Sequence, residues 1–129
     1  MEQKKYRFSR KWHVVLHELF MVFSNGSWKP LSINNAWYAS DRAYLRFRGI
    51  TTYVSFEHHI RRLRQWEYLY KLPRPKRASR YDPNHYTYLL SKAGINKLIA
   101  LGVVQRISGE EIKKTIHSNI RYYKIAIKR

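Results

Sequence analysis

The sequence predicts an α+β domain, on three observations. Apolar residues recur at helical spacing in four segments, around residues 12–23, 33–44, 53–64 and 95–99. Two short runs, YLYKL at 68–72 and YTYLL at 86–90, have the aromatic and Leu content of strands. Between those runs stand Pro73, Pro75 and Pro83, which lack the amide donor a ladder needs, so the pair reads as a hairpin with a long loop.

Composition narrows what such a domain is for. With 129 residues, 44% of them apolar, the chain has room for one domain with a modest core. Its 26 Lys+Arg against 8 Asp+Glu give a formal charge of +18. Self-repulsion of that size opposes compaction and points to an anionic partner, with nucleic acid first and an anionic membrane surface second. There is no cysteine, which excludes disulfides and thiolate metal sites. The densest apolar patch, residues 19–23, is too short to span a membrane, and the first residues lack the apolar segment of a signal peptide. An intracellular protein without membrane attachment is expected.

Residues 1–11 carry Lys4, Lys5, Arg7, Arg10 and Lys11 against one acid, Glu2, and read as a basic arm able to reach phosphates or a minor groove. In the first helix Trp12, Leu16, Leu19, Phe20 and Phe23 form one stripe, and Asn25-Gly26 ends it. Val14 and Met21 flank Glu18 on the other side, where a partner subunit or the C-terminal segment is a candidate cover. His13 and His17 stand four apart, as metal ligands can. The Glu follows the second His rather than the first, and no third ligand is indicated, so no metal site is expected.

After a turn at 24–30, Ser32 is placed to cap a second helix through Ile33, Ala36, Trp37 and Ser40 toward Tyr44. Arg46 and Arg48 mark its end, with Gly49 just past it. Thr51 or Thr52 caps a third helix. Phe56, Ile60, Leu63 and Glu67 lie on one line of it, with Tyr53 and Arg64 beside, and this side is assigned to the core. The opposite side holds Val54, His58, Arg61 and Gln65, flanked by Ser55, Glu57 and Arg62. Arg and Gln make bidentate contacts to guanine and adenine edges, so this side suits a major groove. Thr51, Thr52, Ser55, His58, Arg61, Arg62 and Gln65 are the candidate contacts. Thr52, Ser55, His58 and Arg62 are placed ahead of Arg64 as base readers, because the N-terminal part of such a helix meets the bases. The loop cations Arg74, Lys76, Arg77 and Arg80 are read as phosphate contacts that add affinity with little sequence choice.

A fourth helix, capped by Ser91, buries Ile95, Leu98 and Ile99 and closes at Gly102. The stretch Tyr88-Leu89-Leu90-Ser91-Lys92-Ala93-Gly94 is similar to the signature Y-x-L-T-x-x-G, with Ser91 in place of the Thr. That signature follows the wing strand in winged helix-turn-helix regulators of the multiple-antibiotic-resistance and phenolic-acid-response types, and the chain resembles them over residues 12–102. The resemblance implies a three-helix core with a two-stranded wing, the third helix as recognition helix and residues 73–84 as the wing. The chain departs from those families in its long basic loop and in showing no clear long C-terminal dimerisation helix.

Residues 103–129 form an extension to the domain at 1–102. Residues 103–107 could form a short strand, and a helix is expected from Ser108-Gly109-Glu110-Glu111, with Ile112, Ile116 and Ile120 on one face. Residues 121–129 alternate, and both a strand and a helix continuation fit them. Either dimerisation or capping of the domain's own core suits this extension.

The expected function is binding of double-stranded DNA as a transcriptional regulator, in a homodimer, with no cofactor and with any small-molecule effector unspecified. Non-specific DNA packaging and RNA binding, with Tyr side chains stacking unpaired bases, are the alternatives. No enzyme is expected: the acids do not cluster for two-metal chemistry, and a Tyr nucleophile has no assignable supporting constellation. The basic, cysteine-free, Tyr-, Ile- and Lys-rich composition resembles that of small proteins of archaeal viruses and mobile elements.

Overall fold

The computed structural model describes residues 10–72 and 86–128, with side chains as far as Arg121. Among the described residues six helices accompany one two-stranded antiparallel sheet. The order is α1 (Lys11–Asn25), α2 (Ile33–Ala39), α3 (Arg42–Phe47), α4 (Tyr53–Gln65), β1 (Leu69–Leu72), β2 (Thr87–Leu90), α5 (Lys92–Ala100) and α6 (Arg106–Lys128). The architecture is therefore mixed α+β.

Helix α1 is the centre of the packing. Val14, Val15, Leu16, Leu19, Val22 and Phe23 are all buried, so its apolar surface extends well beyond a single stripe. Glu18 is buried as well, and its Oε2 accepts the Asp41 amide at 3.2 Å. The cover over this side of α1 thus comes from the α2–α3 junction of the same chain, while Met21 stays exposed.

The segment expected as one helix toward Tyr44 is two. Ser40 is extended (φ −76°, ψ 158°) and its hydroxyl donates to the Ala36 carbonyl at 2.6 Å. Asp41 then starts α3 by accepting the Tyr44 amide at 3.0 Å. Apolar spacing carries across the break, so periodicity alone misses it. The Ser-Asp pair is the local signal, since both side chains compete for backbone groups and favour helix ends. Gly49 follows α3 at φ +90°, as read.

The hairpin forms where the strand-like runs place it, with Leu69 opposite Leu90 and Leu72 opposite Thr87. One pairing was not anticipated. Leu31 bridges to Tyr88 through two backbone bonds, Leu31 N–H to the Tyr88 carbonyl at 3.0 Å and Tyr88 N–H to the Leu31 carbonyl at 2.7 Å. Strand β2 therefore has a partner on each side. A one-residue bridge has no periodicity to announce it.

The hairpin locks onto α5 at the signature residues. Ser91 Oγ accepts the Gly94 amide at 3.0 Å and donates to the Glu67 carbonyl at 2.6 Å. A Cβ at Gly94 would sit 2.3 Å from the Tyr68 carbonyl oxygen, so this crossing requires glycine.

The C-terminal extension differs from its reading. Residues 103–107 form no strand; a turn leads straight into α6, which runs unbroken for 23 residues, or about 35 Å at the α-helical rise. A long C-terminal helix is therefore present. Its Ile116 is fully buried, with Ile112 and Ile120 packed against the same core, to which Val104 also belongs. Asn119 Nδ2 donates to the carbonyls of Ser27 at 3.1 Å and Trp28 at 2.7 Å. Those two residues hold the left-handed conformation (φ 58° and 59°) in the turn after α1, where a bulky Trp is disfavoured. Burial of the Trp28 ring and the Asn119 clasp offset that strain.

Candidate nucleic-acid interface

The site is built around α4. Thr52 caps it, its hydroxyl accepting the Ser55 amide at 3.1 Å. Phe56, Ile60 and Leu63 point inward and are fully buried, which fixes the rotation of the helix. Trp37 of α2 braces the same end, meeting Phe56 at 5.2 Å and Tyr53 edge-on at 6.2 Å. The outward arc follows from that rotation. Thr51, Thr52, His58, Arg61, Arg62 and Gln65 are exposed together, Ser55 is half-buried, and Val54 is 70% exposed among them.

Two arginines on this arc differ in their surroundings. Arg61 Nη2 bonds to Glu57 Oε2 at 2.9 Å, one helical turn back. That hydrogen bond raises the pKa of the guanidinium above its ordinary value. Arg61 is thus already engaged, and a nucleic acid must compete with a carboxylate for it. Arg62 makes no ion pair with any described residue, which makes it the better candidate reader. The Glu57–Arg61 pairing was legible in the spacing of four, the usual one for helical ion pairs.

The start of α1 lies at the other end of α4. Trp12 meets Trp66 edge-on at 5.1 Å and stacks on Tyr68 at 5.7 Å, with Lys97 Nζ 5.5 Å from its ring centre. Arg10 is exposed there as the residue before α1. The root of the arm therefore touches both the residues after α4, through Trp12, and the turn before it, where the Lys11 side chain lies against Gly49. Lys4, Lys5 and Arg7 of the arm, and the loop cations Arg74, Lys76, Arg77 and Arg80, lie outside the described residues. At the foot of the hairpin Lys71 Nζ sits 4.2 Å from the centre of the Tyr86 ring.

The histidine pair stands in the first two turns of α1. His17 is buried, and burial, then Lys97 and Arg10, push the pKa of His13 below its ordinary value. Among the described residues no three His, Asp or Glu side chains are grouped to hold a metal ion. No described helix is long and apolar enough to cross a membrane. Across the break between α2 and α3 Arg42 also reaches Tyr38, its guanidinium 5.4 Å from the ring centre, a contact the sequence reading overlooked. No protein family, no curated protein and no solved structure is matched by the chain.

Proposed function

We propose that the chain is a double-stranded DNA-binding protein of winged helix-turn-helix type, acting as a transcriptional regulator and as a homodimer. Helix α4 enters a major groove, and the loop after β1 lies over the adjacent backbone. The observation that carries this reading is the outward arc of α4, where Arg62, Gln65, His58 and Thr52 stand clear of the core and the acid within the helix, Glu57, is paired with Arg61. The order of short helix, turn, helix and hairpin, with Leu31 paired to β2, supports the winged arrangement.

Selection of bound duplexes from a random pool tests the reading. A consensus is expected, palindromic for a dimer. Arg62→Ala should relax preference at one base position, by about 1–3 kcal/mol against the wrong base. Equal losses on selected and random duplexes would remove α4 from base readout.

A second reading, DNA packaging without site choice, is favoured by where the charge lies. Lys11, Lys29, Arg42, Arg46, Lys92 and Lys114 are all exposed outside α4, so attraction to a polyanion is not confined to one face. That reading predicts no consensus from the same selection.

A further inference from the structure

Two aromatic side chains on α2 and α3 contribute nothing to the core. Tyr38 is 63% exposed and Phe47 is 84% exposed. Trp37, the immediate neighbour of Tyr38, shows the contrast, since its ring packs inward on Tyr53 and Phe56. Large apolar side chains left this open are informative when they fall together with charge. Here they do. Arg42 covers the Tyr38 ring at 5.4 Å, Arg46 is exposed one turn further along α3, and Phe47 follows it. Residues 33–49 hold three arginines, Arg42, Arg46 and Arg48, and a single acid. That acid, Asp41, is spent on the backbone, its Oδ1 accepting the Tyr44 amide. This short segment therefore carries exposed aromatic rings and exposed cations, with no exposed carboxylate among them.

We infer that the Tyr38–Arg42–Arg46–Phe47 surface is a second nucleic-acid site, one that takes unpaired nucleotides. Each component has a chemical task there. An unpaired base offers a π-face that stacks on an aromatic ring whatever its sequence, and the flanking guanidiniums meet the phosphates on either side. Bases stacked inside a duplex have no free face to offer, so this surface discriminates strand state rather than sequence. A lipid surface accepts apolar bulk as readily as planar rings, and an acidic protein needs only the cations. The inference rests on reading the chain as a nucleic-acid binder and is independent of base readout by α4.

The test compares short labelled oligothymidine and oligouridine with a duplex of the same length, by fluorescence anisotropy on the full chain. The double substitution Tyr38→Leu with Phe47→Leu keeps apolar bulk and removes the rings at exposed positions. It should weaken single-strand binding by at least about fivefold, the low end for loss of one stacked base, on one or both oligomers. Tyr38→Phe should retain wild-type binding, and duplex affinity should not move. Unchanged single-strand affinity in the double variant would overturn the inference, as would an equal loss on the duplex, which would make the patch a general phosphate surface. A shift in sedimentation coefficient of the double variant with single-strand binding intact would also overturn it, by assigning the patch to self-association. Absence of a duplex consensus, by contrast, would remove the regulator reading and leave this site standing.

Discussion

At the scale of single residues, Gly94 shows how much a short signature can encode. Its place in Tyr88-Leu89-Leu90-Ser91-Lys92-Ala93-Gly94 was readable only as a resemblance. The structure supplies the reason: Ser91 joins the Glu67 carbonyl to the first turn of α5, and the Tyr68 carbonyl fills the space a side chain at Gly94 would need. Because the obstructing atom is backbone, it cannot swing aside. Gly94→Ala should therefore cost on the order of 3 kcal/mol, as overpacking does. Gly102→Ala is the informative comparison. That residue has φ +79° but nothing within 4 Å of an added Cβ, so only the left-handed penalty of about 1 kcal/mol applies. Urea unfolding of the two variants should rank them in that order, and equal losses would contradict the backbone clash. Other residue-scale features were legible without coordinates. Ser32 and Ser91 cap the helices they were assigned to, and Thr52, one of the two threonines considered, caps α4, because a side-chain oxygen before a helical period has one favourable use.

At the scale of elements, period and turn chemistry located most boundaries. The runs at 68–72 and 86–90 became strands at Leu69–Leu72 and Thr87–Leu90, and α4 buries the line of apolar residues its spacing defined. Elements were misread where two signals conflicted. Apolar spacing ran through Ser40-Asp41 and concealed the break between α2 and α3. Strict alternation after Arg121 left helix and strand undecided, although α6 is continuous through Lys128. Residues 103–107 resembled a strand, yet 103–105 lead into that helix and Arg106 and Ile107 open it. Part of what holds α6 in place is tertiary. Its Asn119 reaches carbonyls 92 and 91 residues away in sequence, which no local pattern records. Asn119→Ala removes both bonds and leaves Trp28 in a disfavoured conformation with one support fewer. A loss of about 1–2 kcal/mol in chemical denaturation is expected. An unchanged midpoint would mean that packing of Ile112, Ile116 and Ile120 alone seats the helix.

At the scale of the whole molecule, charge is the dominant property, and it was fully legible. A net +18 on 129 residues makes ionic strength the natural variable for any binding measurement. What composition does not show is where the cations stand, and the fold distributes them over several elements rather than over α4 alone. Substituting Arg74, Lys76, Arg77 and Arg80 together by Ala should flatten the dependence of log K on log salt, by up to ~0.9 for each phosphate left unneutralised. A slope equal to that of the unaltered chain would remove the loop from the interface.

The clasp between Asn119 and the turn after α1 also bears on the order of folding. The chain can close Leu31 against Tyr88 once residue 88 is available, but Ser27 and Trp28 gain their carbonyl partner only when residue 119 has left the ribosome. Long-range closures are slow because loop entropy is lost before the new interactions compensate. A nascent chain arrested before that point would carry a nearly complete α4 face on a domain whose first turn is still unlatched. The latch on that turn is therefore acquired late in synthesis, after α4 has formed.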